Sequence, residues 1–145
     1  MCKSGLFFWL ITLILAQTAS KVNSTPKHMS YNIDCATYST SQEVACGTWV
    51  DGKTIYKKTI DLGTLPNNST KNVQYNIPNF SRLVKLEGSA YRSTDGANFP
   101  LPFASNSGVN VIAISIDTAI TSITVVTNTD RSNMTGYITM YYTKS

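Results

Sequence analysis

The chain of 145 residues contains one histidine, His28, and its Asp, Glu, Lys and Arg together make only 14%. Each scarcity excludes a class of chemistry. Without a histidine beyond the polar N-terminal stretch, the many serines lack the ordinary base that would activate one as a nucleophile. A zinc site is disfavoured too, because Cys35 and Cys46 are not closely paired in the chain as zinc ligands usually are. No metal and no cofactor is therefore expected. No glycine-rich loop follows a strand and opens a helix, which leaves no phosphate-binding loop. The formal charge is +4, but Lys3 and Lys21 lie in the N-terminal stretch. The remaining ten basic residues against eight acidic ones make no nucleic-acid footprint. Helix signals are equally sparse.

Ser, Thr and Asn take the place of the missing charge, while a hydrophobic fraction of 42% is ordinary for one globular domain. That balance suits an exported or virion-surface β protein. At the N-terminus, Lys3 precedes an apolar run from Leu6 to Ala16, followed by the small residues Thr18, Ala19 and Ser20. This is the layout of a secretory signal, and the run is shorter than the roughly 20 residues of a bilayer span. The chain divides into a hydrophobic, signal-like segment over 1–20, a polar linker over 21–37, and a β domain over 38–145. Uncleaved, the first segment would be the protein's contact with a membrane. Cleavage would leave Cys35 and Cys46, which either close a disulfide worth on the order of 3 kcal/mol or stay as thiols.

Strand signals fill the rest. Asp51-Gly52 between Thr48–Val50 and Thr54–Asp61 predicts a hairpin with a two-residue type I′ turn. Leu65-Pro66-Asn67-Asn68 is turn chemistry, and Asn72–Ile77 is a modest strand. Within Arg82–Ser93 the face bearing Val84, Leu86, Gly88 and Ala90 is expected to point inward. Pro100 and Pro102 confine Phe99–Phe103 to an edge or loop. Val109–Ile116 is apolar enough on both faces to be central. With Ser122–Thr127 and Gly136–Thr143, about eight strands predict an all-β fold, a single β-sandwich of jelly-roll type.

Four ordered pieces carry a resemblance. They are Tyr38-Ser39-Thr40 followed by Gly47-Thr48-Trp49-Val50-Asp51-Gly52-Lys53 and Tyr56-Lys57-Lys58-Thr59-Ile60; then Asp61–Val73; then Leu101-Pro102-Phe103; and finally Asp130–Thr139 with Tyr142-Thr143-Lys144. Together they resemble the C-terminal head domain of bacteriophage tail fibres and receptor-binding proteins, from Tyr38 to the last residue. Cys46 departs from the pattern, standing where an aliphatic residue is expected. The resemblance implies a homotrimer at a virion tail tip, with Trp49, Tyr56 and Ile60 near the neck where chains meet. It also implies host attachment through a bacterial surface glycan or envelope receptor.

Sugar recognition needs flat rings beside planar polar groups. The loop from Tyr91 to Phe99 offers that mixture, so Tyr91, Arg92, Asp95 and Asn98 are receptor-binding candidates. Arg131 and Asn133 are secondary ones, and an Asp130–Arg131 ion pair is expected to fix their turn. Two rivals stand beside this reading: a secreted cellular structural or adhesion protein, and a surface polysaccharide hydrolase built on paired carboxylates.

Overall fold

The computed structural model describes residues 33–118 and 121–145, so the signal-like segment and most of the linker lie outside the described residues. After a 3-10 turn at Ile33–Ala36 come nine strands: β1 Val44–Thr48, β2 Thr54–Thr64, β3 Thr70–Gln74, β4 Phe80–Arg92, β5 Asn98–Pro100, β6 Phe103–Ala104, β7 Val111–Asp117, β8 Ser122–Thr127 and β9 Met134–Lys144. They form two antiparallel sheets. One has the order β1-β2-β9-β4-β5 and the other β3-β8-β7-β6.

The sheets pack face to face because alternate residues on each are apolar. Ile60 and Leu62 of β2, Ile138, Met140 and Tyr142 of β9, and Ala90 of β4 meet Ile112 of β7 with Ile123 and Val125 of β8. Full burial of one such side chain, Ile138 for example, stabilises by about 1.5–3 kcal/mol. Register keeps the alternation coherent, since Ile60 pairs with Ile138 and Leu86 with Met140. Between Leu83 and Lys85 the β4–β9 register shifts. Such a bulge exchanges the two faces. Hence Leu83 packs on the core although simple alternation from Ala90 assigns Val84 to the inner side, and a second shift between Phe80 and Arg82 brings Phe80 back to it.

Three other expectations change. The opening hairpin turns through Val50, Asp51 and Gly52: the Gly52 N–H donates to the Trp49 carbonyl and the Trp49 N–H to that of Lys53. Only Gly52 takes a positive φ there, 85°, so the loop has three residues rather than two. Asp51 instead accepts from the Lys53 N–H at 3.0 Å. β7 is central as expected, between β8 and β6, but it buries Ile112 while exposing Ala113 and Ser115, so only one of its faces is packed. Ile33–Ala36, assigned to the linker, is a 3-10 turn. The proline-bounded segment does lie at edges: β5 ends one sheet and β6 the other.

Candidate functional site

The outward side of the five-stranded sheet is built in rows that cross three strands. Lys57 of β2 stands opposite Tyr141 of β9, which stands opposite Lys85 of β4; the next row is Thr59, Thr139 and Glu87; the third is Asp61, Tyr137 and Ser89. These side chains share a face because pairing partners do. One diagonal step further lies Tyr91, opposite Thr135. Tyr91 and Tyr137 are each 49% exposed.

A strap formed by residues 35–40 bounds this face. The Thr59 N–H donates to the Ser39 carbonyl at 3.0 Å. Lys57 is 1% exposed although it belongs to an outward row. Its ammonium donates to the Cys35 carbonyl and lies 4.0 Å from the centre of the Tyr38 ring. A buried ammonium is costly without such partners. Between strap and sheet opens a groove of about 610 Å³, lined by Tyr38, Thr40, Thr59, Glu87, Gly88, Ser89, Tyr137 and Thr139.

The groove's polar groups are set in place by neighbours. Thr59 and Thr139 hydroxyls lie 3.0 Å apart. The Tyr141 hydroxyl donates to Glu87 Oε1 at 2.7 Å, and Lys85 pairs with the same carboxylate. The hydrogen bond from Lys85, then that from Tyr141, hold the Glu87 carboxyl below its ordinary value despite the opposing effect of burial. Glu87 is thus an ionised acceptor at neutral pH. Burial, reinforced by Glu87, pushes the Tyr141 hydroxyl upward, which keeps it a donor. Gly88 is required beneath: a Cβ there would lie 2.3 Å from the Tyr137 carbonyl oxygen and 2.9 Å from Ile138.

No known protein identifies the site. Comparisons with family models, curated proteins and solved structures find no match for this chain. Among the described residues no cluster of three His, Cys, Asp or Glu could hold a metal.

The structure sorts the candidates named from sequence. Tyr91 lies on the sheet face beside the groove. Arg92 and Asp95 are engaged with each other: Nε donates to Oδ1 at 2.8 Å and Nη2 to Oδ2 at 2.6 Å, while the guanidinium sits 5.0 Å from the Phe99 ring centre. Asn98 donates to the Gly96 carbonyl at 3.3 Å inside the same loop. Asn133 is brought to that loop, its carbonyl accepting from the Ser93 N–H and hydroxyl, each at 3.0 Å. Arg131 is corrected. It is 8% exposed and donates to Asn110 Oδ1 at 2.9 Å, tying the β8–β9 connection to the β6–β7 loop, so its guanidinium is already engaged inside the fold. Its turn is fixed by Asp130 accepting from the Ser132 N–H at 2.9 Å, in place of the expected ion pair.

Of the neck candidates, Ile60 is a core residue, 6% exposed, because it faces Ile138 across the ladder. Tyr56 stacks on Tyr142 at 6.1 Å. Trp49 stays half-buried on the hairpin loop. Cys35 and Cys46 carry no disulfide, yet the Cys35 thiol donates to the Cys46 carbonyl at 3.0 Å. The sequence reading did not single out Tyr137, Thr139, Thr59 or Ser89. Their signal was the outward half of the strand alternation, where Thr135, Tyr137, Thr139 and Tyr141 interleave with the buried residues of β9.

Proposed function

We propose that the protein is a non-catalytic receptor-binding domain that attaches to a bacterial surface glycan or envelope component. The observation that carries this reading is the groove on the five-stranded sheet, where the Tyr38 and Tyr137 rings stand beside Thr59, Thr139, Ser89 and an ionised Glu87. Tyrosine rings offer sugar C–H faces a flat apolar surface, and the hydroxyls and carboxylate take up their O–H groups. Binding is preferred to hydrolysis because Glu87 is the single carboxylate among the groove's lining residues. Glycoside hydrolysis needs two, one of them kept protonated.

The resemblance of 38–145 to tail-fibre heads supplies the setting: a homotrimer at a virion tail tip, folded as a jelly roll. Two pairings fit that roll, since β2 pairs with β9 and β3 with β8 while both connections, β2 to β3 and β8 to β9, change sheets together. Trp49 is the neck residue that the core does not claim. The decisive test is an array of bacterial surface polysaccharides probed with the chain and with Tyr137→Ala. Binding that the substitution removes supports the reading. Equal signals from both, or none from a folded chain, would overturn it. Light scattering tests the trimer, and a monodisperse monomer at micromolar concentration would remove it.

A further inference from the structure

One wall of the groove comes from the strap. Tyr38 and Thr40 line the groove, and the contacts that hold their segment include the Lys57 ammonium on the Cys35 carbonyl and on the Tyr38 ring, a Tyr38–Tyr141 side-chain hydrogen bond, the Thr59 N–H on the Ser39 carbonyl, and the Cys35 thiol on the Cys46 carbonyl. The last of these brings together the two cysteines of the described residues. Cys46 occupies a special place: the β1–β2 register pairs Ala45 with Tyr56 and Gly47 with Ile55, so Cys46 is the extra residue of a bulge. Bulges re-aim side chains and take a residue out of ladder pairing. Both cysteines are half-buried, so small oxidants and exchange partners can reach them.

We propose that Cys35 and Cys46 form a disulfide site that pins the strap to β1 and thereby fixes the Tyr38 wall of the groove. This rests on the groove being the binding site. A sulfur 3.0 Å from its partner's main chain places the two residues side by side, and the bridge requires their side chains to rotate toward each other. The chemistry is thiol–disulfide exchange with an oxidised dithiol or glutathione-type disulfide. One cysteine thiolate attacks a sulfur of that reagent and releases one reagent thiol. The other cysteine then attacks the mixed disulfide, forming the internal S–S bond and releasing the second thiol. Two electrons and two hydrogens pass from the protein to the reagent. In an oxidising compartment or outside a cell the closed form is favoured; in a reducing cytosol the strap keeps its noncovalent contacts, the Cys35 thiol on the Cys46 carbonyl among them.

The test uses the full chain with its third cysteine removed by Cys2→Ser, reduced with a phosphine and then treated with oxidised glutathione. Intact mass should fall by two hydrogens without a glutathione adduct. Exchange of the Thr59 amide, which reports strap attachment directly, should slow by at least about tenfold because local opening governs exchange. Neither change should occur in Cys35→Ser or Cys46→Ser. A stable glutathione adduct, a disulfide-linked dimer, or two persistent thiols in the folded chain would overturn the bridge. A bridge that leaves Thr59 exchange unchanged would overturn the pinning. Polysaccharide binding, measured on both forms, separates the two claims: a bridged, protected strap with no binding in either state refutes the groove's function and leaves the disulfide standing.

Discussion

The two outward faces of the sandwich cover the same core and differ sharply in chemistry. On the five-stranded sheet the rows hold Tyr91, Tyr137, Tyr141, Lys57, Lys85, Glu87 and Asp61. On the four-stranded sheet the corresponding rows are Thr70, Val126 and Ala113; Asn72, Thr124 and Ser115; and Gln74, Ser122 and Asp117. Among the described residues, the rows of the second face hold no aromatic ring and one charge. One of its hydrogen bonds links neighbouring strands, from Thr124 to Asn72 at 3.0 Å. A face needed only to close a sandwich requires no more than small polar residues with strand propensity. Rings, charges and a strap are more than closure demands, and they gather on one side. That asymmetry, rather than any single residue, points to the working surface.

The largest effect should come from Gly88, where core packing and the groove meet. Gly88→Ala places a methyl against backbone of β9, and nothing there can move without breaking the β4–β9 ladder. Loss of about 3 kcal/mol is expected, whereas Ala113→Ser on the bland face should stay within about 0.5 kcal/mol. Chemical denaturation of both variants measures the contrast. Equal stability of the two would mean that the two sheets are equally tolerant, against the comparison.

Next in size is binding. Tyr137→Ala should weaken polysaccharide attachment about tenfold, or about 1.4 kcal/mol, with little change in Tm because the ring is half exposed. Val126→Ala, at the centre of the other face and 40% exposed, should bind as the parent does. A reversed pattern would move the receptor to the four-stranded sheet.

Alkaline titration sharpens the contrast differently. Burial, then the hydrogen bond to Glu43 at 2.7 Å, raises the pKa of Tyr142, and burial with Glu87 raises that of Tyr141. A raised phenol contributes stability that is complete below the unfolded value near 10 and disappears as pH climbs toward the folded one. Stability should therefore fall from about pH 10 upward, and Tyr141→Phe should blunt the fall. The four-stranded sheet has no tyrosine in its rows, so Ala113→Ser and Val126→Ala should leave that profile alone, whereas Asp117 is not such a neutral site, because burial and then its charge raise the nearby Tyr75 phenol.

Much of this architecture could be read along the chain, since strands bounded by Gly, Pro and Asn announce themselves locally. Asn68 adopts a φ of 42°, as its turn chemistry suggested, and β8 has the predicted bounds. Pairing features were hidden. The bulge that turns Leu83 inward depends on β9, a strand more than forty residues later. Arg131 looks like a surface residue until Asn110 is brought beside it. The groove was the least legible element, because it combines strap, β2, β4 and β9, and each contributes residues that in isolation are ordinary outward threonines and tyrosines.

The smallest expected effect lies at the loop first favoured for binding. Arg92 holds the Asp95 carboxyl down at about 2, with help from the Ala97 N–H. A depressed carboxylate contributes stability above its unfolded value, lost as pH falls through the folded one; here the window runs from 3.8 to about 2. Asp95 is half exposed and Arg92 partly so, so salt screens the pair. Arg92→Ala should return the Asp95 titration, followed by NMR, toward the ordinary carboxylate range while leaving Tm nearly unchanged. It should also leave attachment to neutral polysaccharide intact, because the guanidinium is already committed to Asp95 and Phe99. A strong loss of attachment from Arg92→Ala, with Tyr137→Ala harmless, would put the receptor on the Tyr91–Phe99 loop and make the tyrosine face a bystander.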